Sequence, residues 1–193
     1  MKKVCYIIPG FGESVFRQRD YPRIAKLLEK RGITPIGVHI DWHKRKPRRF
    51  SDYALQFLDQ YKKPKGAKVY VLGFSFGAVT ALLTARRAKP DALILCSLSP
   101  FFVEDQKIMK PYWFRWWKKE FEKSDYSFNK TARGVKTKTH LIIGTKELKV
   151  VQERARDAQR KIKNSKLVIA KGAKHRVGQK QYLIALECVT KML

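Results

Sequence analysis

An α/β fold, with a doubly wound, mainly parallel six-stranded sheet carrying helices on both faces, is predicted by three features of the chain. Six short runs rich in apolar and β-branched residues recur along 193 residues. Amphipathic stretches with apolar residues three and four apart lie between them. Gly-containing turns follow the first and third runs, where such a sheet places its ligand crevice.

Taken in order, Val4 to Ile8 reads as the first strand, and Ile24, Leu27 and Leu28 mark the apolar stripe of a first helix. Thr34 to Ile40 reads as the second strand, followed by a helix with Ala54, Phe57, Leu58 and Tyr61 on one face. Lys68 to Leu72 is the third strand, leading into a helix that carries Val79, Leu82 and Leu83. Ala92 to Leu98, His140 to Ile143 and Leu167 to Ala170 complete the set. Val151, Ala155, Ala158 and Ile162 mark the helix between the last two, and a final helix runs from Gln179 with Leu186, Val189 and Leu193 toward the sheet. Alternation of this kind requires right-handed crossovers between parallel neighbours, and one domain over 1–193 is the expectation for this length.

One segment breaks the rhythm. Residues 99–139 put about forty residues between two strands, more than a crossover needs. Its centre, Pro111 to Phe121, has Trp113, Trp116, Trp117 and Phe121 on one helical face. Three readings stay open: a helix docked on the core by its aromatic face, a lid over an apolar substrate pocket, or a membrane-interface patch beside Arg115, Lys118 and Lys119.

Composition narrows the setting. An apolar share of 44% fits a globular fold, and Cys5, Cys96 and Cys188 lie in apolar contexts as packed thiols, which points to a reducing, cytoplasmic compartment. The apolar run after Met1-Lys2-Lys3 is cut by Pro9-Gly10 before it reaches the length of a signal peptide. No stretch is long enough to span a bilayer. The 43 basic against 16 acidic residues give a net charge of +27, which attracts nucleic acid, an anionic lipid surface or an anionic substrate. The basic residues are nevertheless scattered in short clusters, the pattern of a solvated surface.

The residues that carry chemistry converge on one crevice. Gly73-Phe74-Ser75-Phe76-Gly77 reads G-x-S-x-G between a strand and a helix, a tight turn that exposes a serine hydroxyl at a helix N-terminus. Pro9-Gly10-Phe11-Gly12 follows the first strand, and the backbone N–H groups of Phe11 and Phe76 are the candidate oxyanion donors. A phosphate cradle at Gly10-Phe11-Gly12 is weakened by Val15, where G-x-G-x-x-G requires a third glycine. Among four histidines, only His175 lies in a Gly-containing loop beyond the last strand, where a general base would reach the crevice. Glu147, in the turn after the fifth strand, is the candidate for orienting it, with Glu104 and Asp105 after the fourth strand as alternatives.

On these motifs the chain resembles a compact member of the α/β-hydrolase superfamily over nearly its whole length. The family's usual first two strands have no counterpart, and the insertion falls where the family commonly carries its lid. Phe74 replaces the frequent His before the nucleophile, and Glu147 stands where Asp is usual. The resemblance implies a serine hydrolase with Ser75, His175 and Glu147 as the catalytic set, acting on a small-molecule acyl ester or thioester with no metal or organic cofactor. A catalytically weak hydrolase-fold protein that binds an anionic partner is the alternative.

Overall fold

The computed structural model of the protein describes residues 1–12, 20–43, 48–107, 115, 119, 121–122 and 126–193. Six strands, β1 (Lys3–Ile8), β2 (Ile33–Gly37), β3 (Lys68–Phe74), β4 (Ala92–Cys96), β5 (Lys138–Gly144) and β6 (Ser165–Ala170), form one sheet in the order β2-β1-β3-β4-β5-β6. Every neighbouring pair is parallel. The helices are α1 (Asp20–Glu29), α2 (Phe50–Gln60), α3 (Phe76–Ala88), α4 (Phe128–Gly134), α5 (Lys149–Lys161) and α6 (Lys180–Thr190), with a 3-10 turn at Val103–Lys107.

Two apolar layers sandwich the sheet. On one face Val4, Tyr6, Val69, Val71, Leu93 and Leu141 pack against α2, α3 and the Ala158–Ile162 end of α5. On the other, Cys5, Ile7, Leu72, Ile94 and Ile142 pack against α1 through Tyr21, Ile24 and Leu28, and against α6 through Tyr182, Leu186 and Val189. Alternate residues of each strand therefore face opposite layers, and both are dry because helices cover both. The predicted doubly wound sheet is the sheet observed.

Several boundaries differ from the sequence reading, each for a local reason. β2 ends at Gly37, not Ile40; it is an edge strand, which tolerates Pro35 because the missing N–H costs no interior ladder bond. β4 ends at Cys96 because Ser97 turns to a positive φ of 51°. Cys188 is exposed, unlike the buried Cys5 and Cys96, whose thiols burial pushes up, to about 12 for Cys5. Phe121, expected on a helix, forms a parallel bridge with Arg48, and its buried ring joins a cluster with Phe11, Phe50, Phe76 and Phe101. Trp113, Trp116 and Trp117 lie outside the described residues.

The chain doubles back after β2, so the loops leaving β1 and β3 adjoin at the carboxyl edge of the sheet. That adjacency creates the crevice.

Candidate functional site

The turn after β3 is built on two glycines that have no room for a side chain. A Cβ on Gly73 would lie 2.3 Å from the Gly77 carbonyl oxygen, and one on Gly77 would lie 2.3 Å from that of Ile8 and 2.4 Å from that of Pro9. Their absence lets α3 start directly against β1. Between them Ser75 takes φ 55° and ψ −114°, a backbone that L-residues seldom adopt. The turn is held by the Ser75 N–H to Cys96 O, 2.9 Å, and by the Ala78 and Val79 N–H groups to Ser75 O. Ser75 is 8% exposed, so its hydroxyl is reachable yet mostly shielded from water.

A continuous series of hydrogen bonds runs from this serine. His175 Nε2 lies 3.0 Å from Ser75 Oγ, and His175 Nδ1 lies 2.6 Å from Glu147 Oε2. The imidazole is 42% exposed while the Glu147 side chain is fully buried, so the polar series runs inward from solvent. The Phe74 ring packs against the imidazole, with ring centroids 4.9 Å apart, and edge-on against Tyr182. Phe74 thus fixes the ring plane of His175 from the strand side.

Glu147 is the anchor. Burial pushes its carboxyl up, but hydrogen bonds from His175 and Tyr182, the nearby His175 charge and the Gly144 N–H outweigh that and hold it below the ordinary glutamate value. It is therefore ionised near neutral pH. Its Oε1 accepts from the Ser97 hydroxyl at 2.8 Å, the Gly144 N–H at 3.0 Å and the Tyr182 hydroxyl. Tyr182 in turn is pushed up, by burial first and then by the Glu147 charge, and stays a protonated donor. A Cβ on Gly144 would lie 2.3 Å from Ala173 O, so the Glu147 and His175 turns close on each other only with glycine there. Lys146 N–H to Ala173 O, 2.9 Å, and Gly172 N–H to Thr145 Oγ1, 2.8 Å, complete the junction.

The other candidate carboxylates are engaged elsewhere. Asp105 is fully buried, accepts the Phe102 N–H at 2.9 Å and pairs with Arg154 of α5. Arg154 also lies over the Phe128 ring, 3.8 Å from its centroid. Glu104 accepts from the Ser127 hydroxyl at 2.6 Å and from the Phe128 and Asn129 N–H groups, capping α4. Burial works against its charge, yet those bonds hold its carboxyl at about 2. The geometry brings Ser75, His175 and Glu147 together and leaves Asp105 and Glu104 out.

Phe76 starts α3, and its N–H has no acceptor among the described residues. Phe11 lies across the crevice, with its ring 5.1 Å from that of Phe76. His39 and His43 are exposed, with the His43 ring against that of Phe11, and His140 is buried within β5. Two surface grooves, one along Arg48 to Asp59 and one between Arg86 and Lys136, do not include Ser75. Among the described residues no group of three or more His, Cys, Asp or Glu is arranged to hold a metal ion, and no helix is long and apolar enough to cross a membrane.

Sequence reasoning passed over four residues of this site: Ser97, Ser99, Tyr182 and Gly144. Ser99 Oγ lies 3.0 Å from Ser75 Oγ. The available signal for Ser97 and Ser99 was two hydroxyls at the carboxyl end of the strand beside β3. For Tyr182 it was a phenol at a core position, which needs a buried partner.

No protein-family model matches the chain, and no curated protein sequence matches it. Solved structures do. The chain superposes on Est1E from Butyrivibrio proteoclasticus with a TM-score of 0.75 at 17% identity, covering 100% of this chain and 88% of that one. It is similar to alpha/beta hydrolase domain-containing protein 10 from mouse, with a TM-score of 0.74, 15% identity and 100% and 89% coverage. The alpha/beta hydrolase MGS-MChE2, from a sediment metagenome of the Mar Chica lagoon, gives a TM-score of 0.71 at 17% identity, with 100% and 92% coverage. With six parallel strands, helices on both faces and these neighbours, the chain has the α/β-hydrolase fold in a reduced form.

Proposed function

We propose that this protein is a serine hydrolase that cleaves a carboxylic ester or thioester through an acyl-enzyme intermediate. The observation that carries the reading is the hydrogen-bonded series Ser75, His175, Glu147, with Ser75 on a glycine-framed turn at the start of α3. In this mechanism Ser75 Oγ attacks the acyl carbonyl while His175 Nε2 takes its proton. Glu147 holds the imidazole with its proton on Nδ1 and balances the charge that His175 acquires. The N–H groups of Phe76 and Phe11 receive the oxyanion, an interaction worth about 2.7–4 kcal/mol per donor in another serine hydrolase. His175 then returns the proton to the leaving alcohol or thiol, and water repeats the sequence on the acyl-serine.

Neighbours with the same fold support the substrate class. One is described as Est1E with ferulic acid bound, a carboxylic acid, and another as an esterase from Pyrococcus furiosus. A reducing, cytoplasmic setting fits the buried free thiols of Cys5 and Cys96.

A second reading, binding of an anionic partner, is favoured by the net charge of +27. Lys171, Lys174 and Lys146, on the loops that carry His175 and Glu147, form no ion pair with a described carboxylate. Salt-dependent association with nucleic acid or anionic vesicles, without turnover, is its signature.

The discriminating experiment is a fluorophosphonate label followed by peptide mapping, run beside a screen of p-nitrophenyl esters and acyl thioesters graded by chain length. The expected result is a single label on Ser75 that needs the folded protein, and turnover abolished in Ser75→Ala. Labelling of another serine, or equal labelling after heat unfolding, refutes the assignment.

A further inference from the structure

We propose that Ser99 is a further catalytic residue, a hydroxyl donor to the nucleophilic oxygen whose main service is to deacylation. The proposal rests on the serine-hydrolase reading above. Ser99 stands beyond the end of β4 as Ser75 stands beyond the end of β3; the two strands are neighbours, paired through Phe74 and Cys96. Ser99 is 5% exposed, and its Oγ lies 3.0 Å from Ser75 Oγ. No other partner for its hydroxyl is present among the described residues.

The direction of that hydrogen bond follows from the rest of the series. Glu147 is ionised and accepts only, so the His175 nitrogen facing it, Nδ1, carries a proton. In a neutral imidazole Nε2 is then a bare acceptor, and the Ser75 hydrogen points to it. Ser75 has one hydrogen and has spent it. The contact between the two serines is therefore made by the Ser99 hydrogen, aimed at a lone pair of Ser75 Oγ.

That donor acts unequally on the two halves of the reaction. Charge develops on Ser75 Oγ in the transition state for its attack and again in the transition state for its departure, and Ser99 stabilises both alike. The ground states differ. Before acylation Ser75 Oγ is a free hydroxyl, a good acceptor that already holds the Ser99 hydrogen bond. In the acyl-enzyme it is the single-bonded oxygen of an ester, a poor acceptor. Only the gain between ground state and transition state accelerates a step, so the larger gain falls on deacylation.

In that half-reaction water adds to the acyl carbonyl and gives a proton to His175 Nε2. The bond between the acyl carbon and Ser75 Oγ breaks, its electron pair stays on Oγ, and Nε2 returns the proton there. Ser99 keeps its own hydrogen throughout. The products are the free carboxylic acid and the regenerated serine.

The test is pre-steady-state hydrolysis of a short p-nitrophenyl ester by wild type and Ser99→Ala, with the acyl adduct on the Ser75 peptide followed by mass spectrometry. Removing one oxygen from a nearly buried side chain leaves room and fold intact, and a melting curve checks this. The expected result is an acylation rate constant within about threefold of wild type and a deacylation rate constant lower by about tenfold, the effect of losing one transition-state hydrogen bond. Acyl-enzyme then accumulates. Ser99→Thr, which retains the hydroxyl, keeps the wild-type ratio of the two constants. An unchanged ratio in Ser99→Ala, whether both constants hold or fall together, overturns the role of Ser99 alone. A wild type that carries neither fluorophosphonate nor acyl group on Ser75 overturns the hydrolase reading and this one with it.

Discussion

Glu147 Oε2 lies 2.6 Å from His175 Nδ1, although the two residues sit on separate turns after β5 and β6. The approach is set by backbone as much as by side chains, because Gly144 lets the Ala173 carbonyl pass where a Cβ would stand. Adding that Cβ gives the first expectation. Gly144→Ala pushes the two turns apart, costing about 1–3 kcal/mol of stability and a far larger share of turnover, since roughly 1 Å of misplacement already costs about a hundredfold. Melting curves alongside kcat measure the two losses, and a fall in kcat no greater than the stability loss refutes the coupling.

Tyr182→Phe removes one hydroxyl donor from Glu147, together with that hydroxyl's contacts to the Gly144 N–H and the Ser97 hydroxyl. Glu147 in the wild type is held below its ordinary value, so its ionised form contributes stability above the unfolded value, lost as pH falls through the lowered folded one. With a donor gone, burial counts for more and the folded value rises. The variant is expected to lose about 1–3 kcal/mol at neutral pH and to lose activity at a higher pH on the acid side than wild type. A pH profile of kcat/KM with an unmoved acid limb contradicts this.

Asp105→Asn and Glu147→Gln separate two of the three carboxylates that the sequence left in competition. Asp105→Asn breaks a buried pair with Arg154 and is expected to destabilise by about 3–5 kcal/mol while sparing kcat per folded molecule. Glu147→Gln is expected to lower kcat by orders of magnitude with a smaller loss of stability. The opposite pattern moves the acid to Asp105.

Glu104 lends acid resistance without touching the site. Its carboxyl at about 2, against an ordinary 4.5, contributes stability that is complete above about 4.5 and lost as pH falls toward 2. Glu104→Gln is expected to melt below wild type at pH 7, with the gap closing across that window, and to keep wild-type kcat. A gap constant with pH excludes the charged cap as its source.

His140 also costs stability on acidification, but through the burial of a ring that must charge. It is fully buried in β5, its two ring nitrogens have no hydrogen-bond partner among the described residues, and burial, helped by Lys138 and Lys166, lowers it to about 4. Stability from the neutral ring is present above about 6.5 and falls as pH drops to about 4. His140→Leu removes that slope and strands no partner, so it is expected to match or exceed the wild-type melting temperature at pH 5. A lower melting temperature at pH 5 than wild type refutes it.

The strands and the chain order of Ser75, Glu147 and His175 were legible because they depend on local periodicity and on loop position after a strand. Ser97, Ser99 and Tyr182 were not, since a serine after a strand or a tyrosine on a helix acquires meaning only from a neighbour 24 to 85 residues away. Phe121 was misread for a similar reason: its helical spacing with the tryptophans was real, but its partner is Arg48. Gly144 was hidden because nothing local demands glycine at a strand end; the demand comes from Ala173.

The capping of α4 by Glu104 has a consequence for how this fold can vary. Val103 donates its N–H to the Tyr126 carbonyl at 3.0 Å, and Glu104 grips Ser127 to Asn129, so the chain's departure and return are clasped together. Such a closed base makes the sheet nearly indifferent to the length of what it encloses, because each doubling of a loop adds only about 0.6 kcal/mol of closure entropy. Residues can therefore be gained or lost between Glu104 and Tyr126 at little cost to the turn that carries Ser75, provided Phe121 keeps its seat among Phe11, Phe50, Phe76 and Phe101.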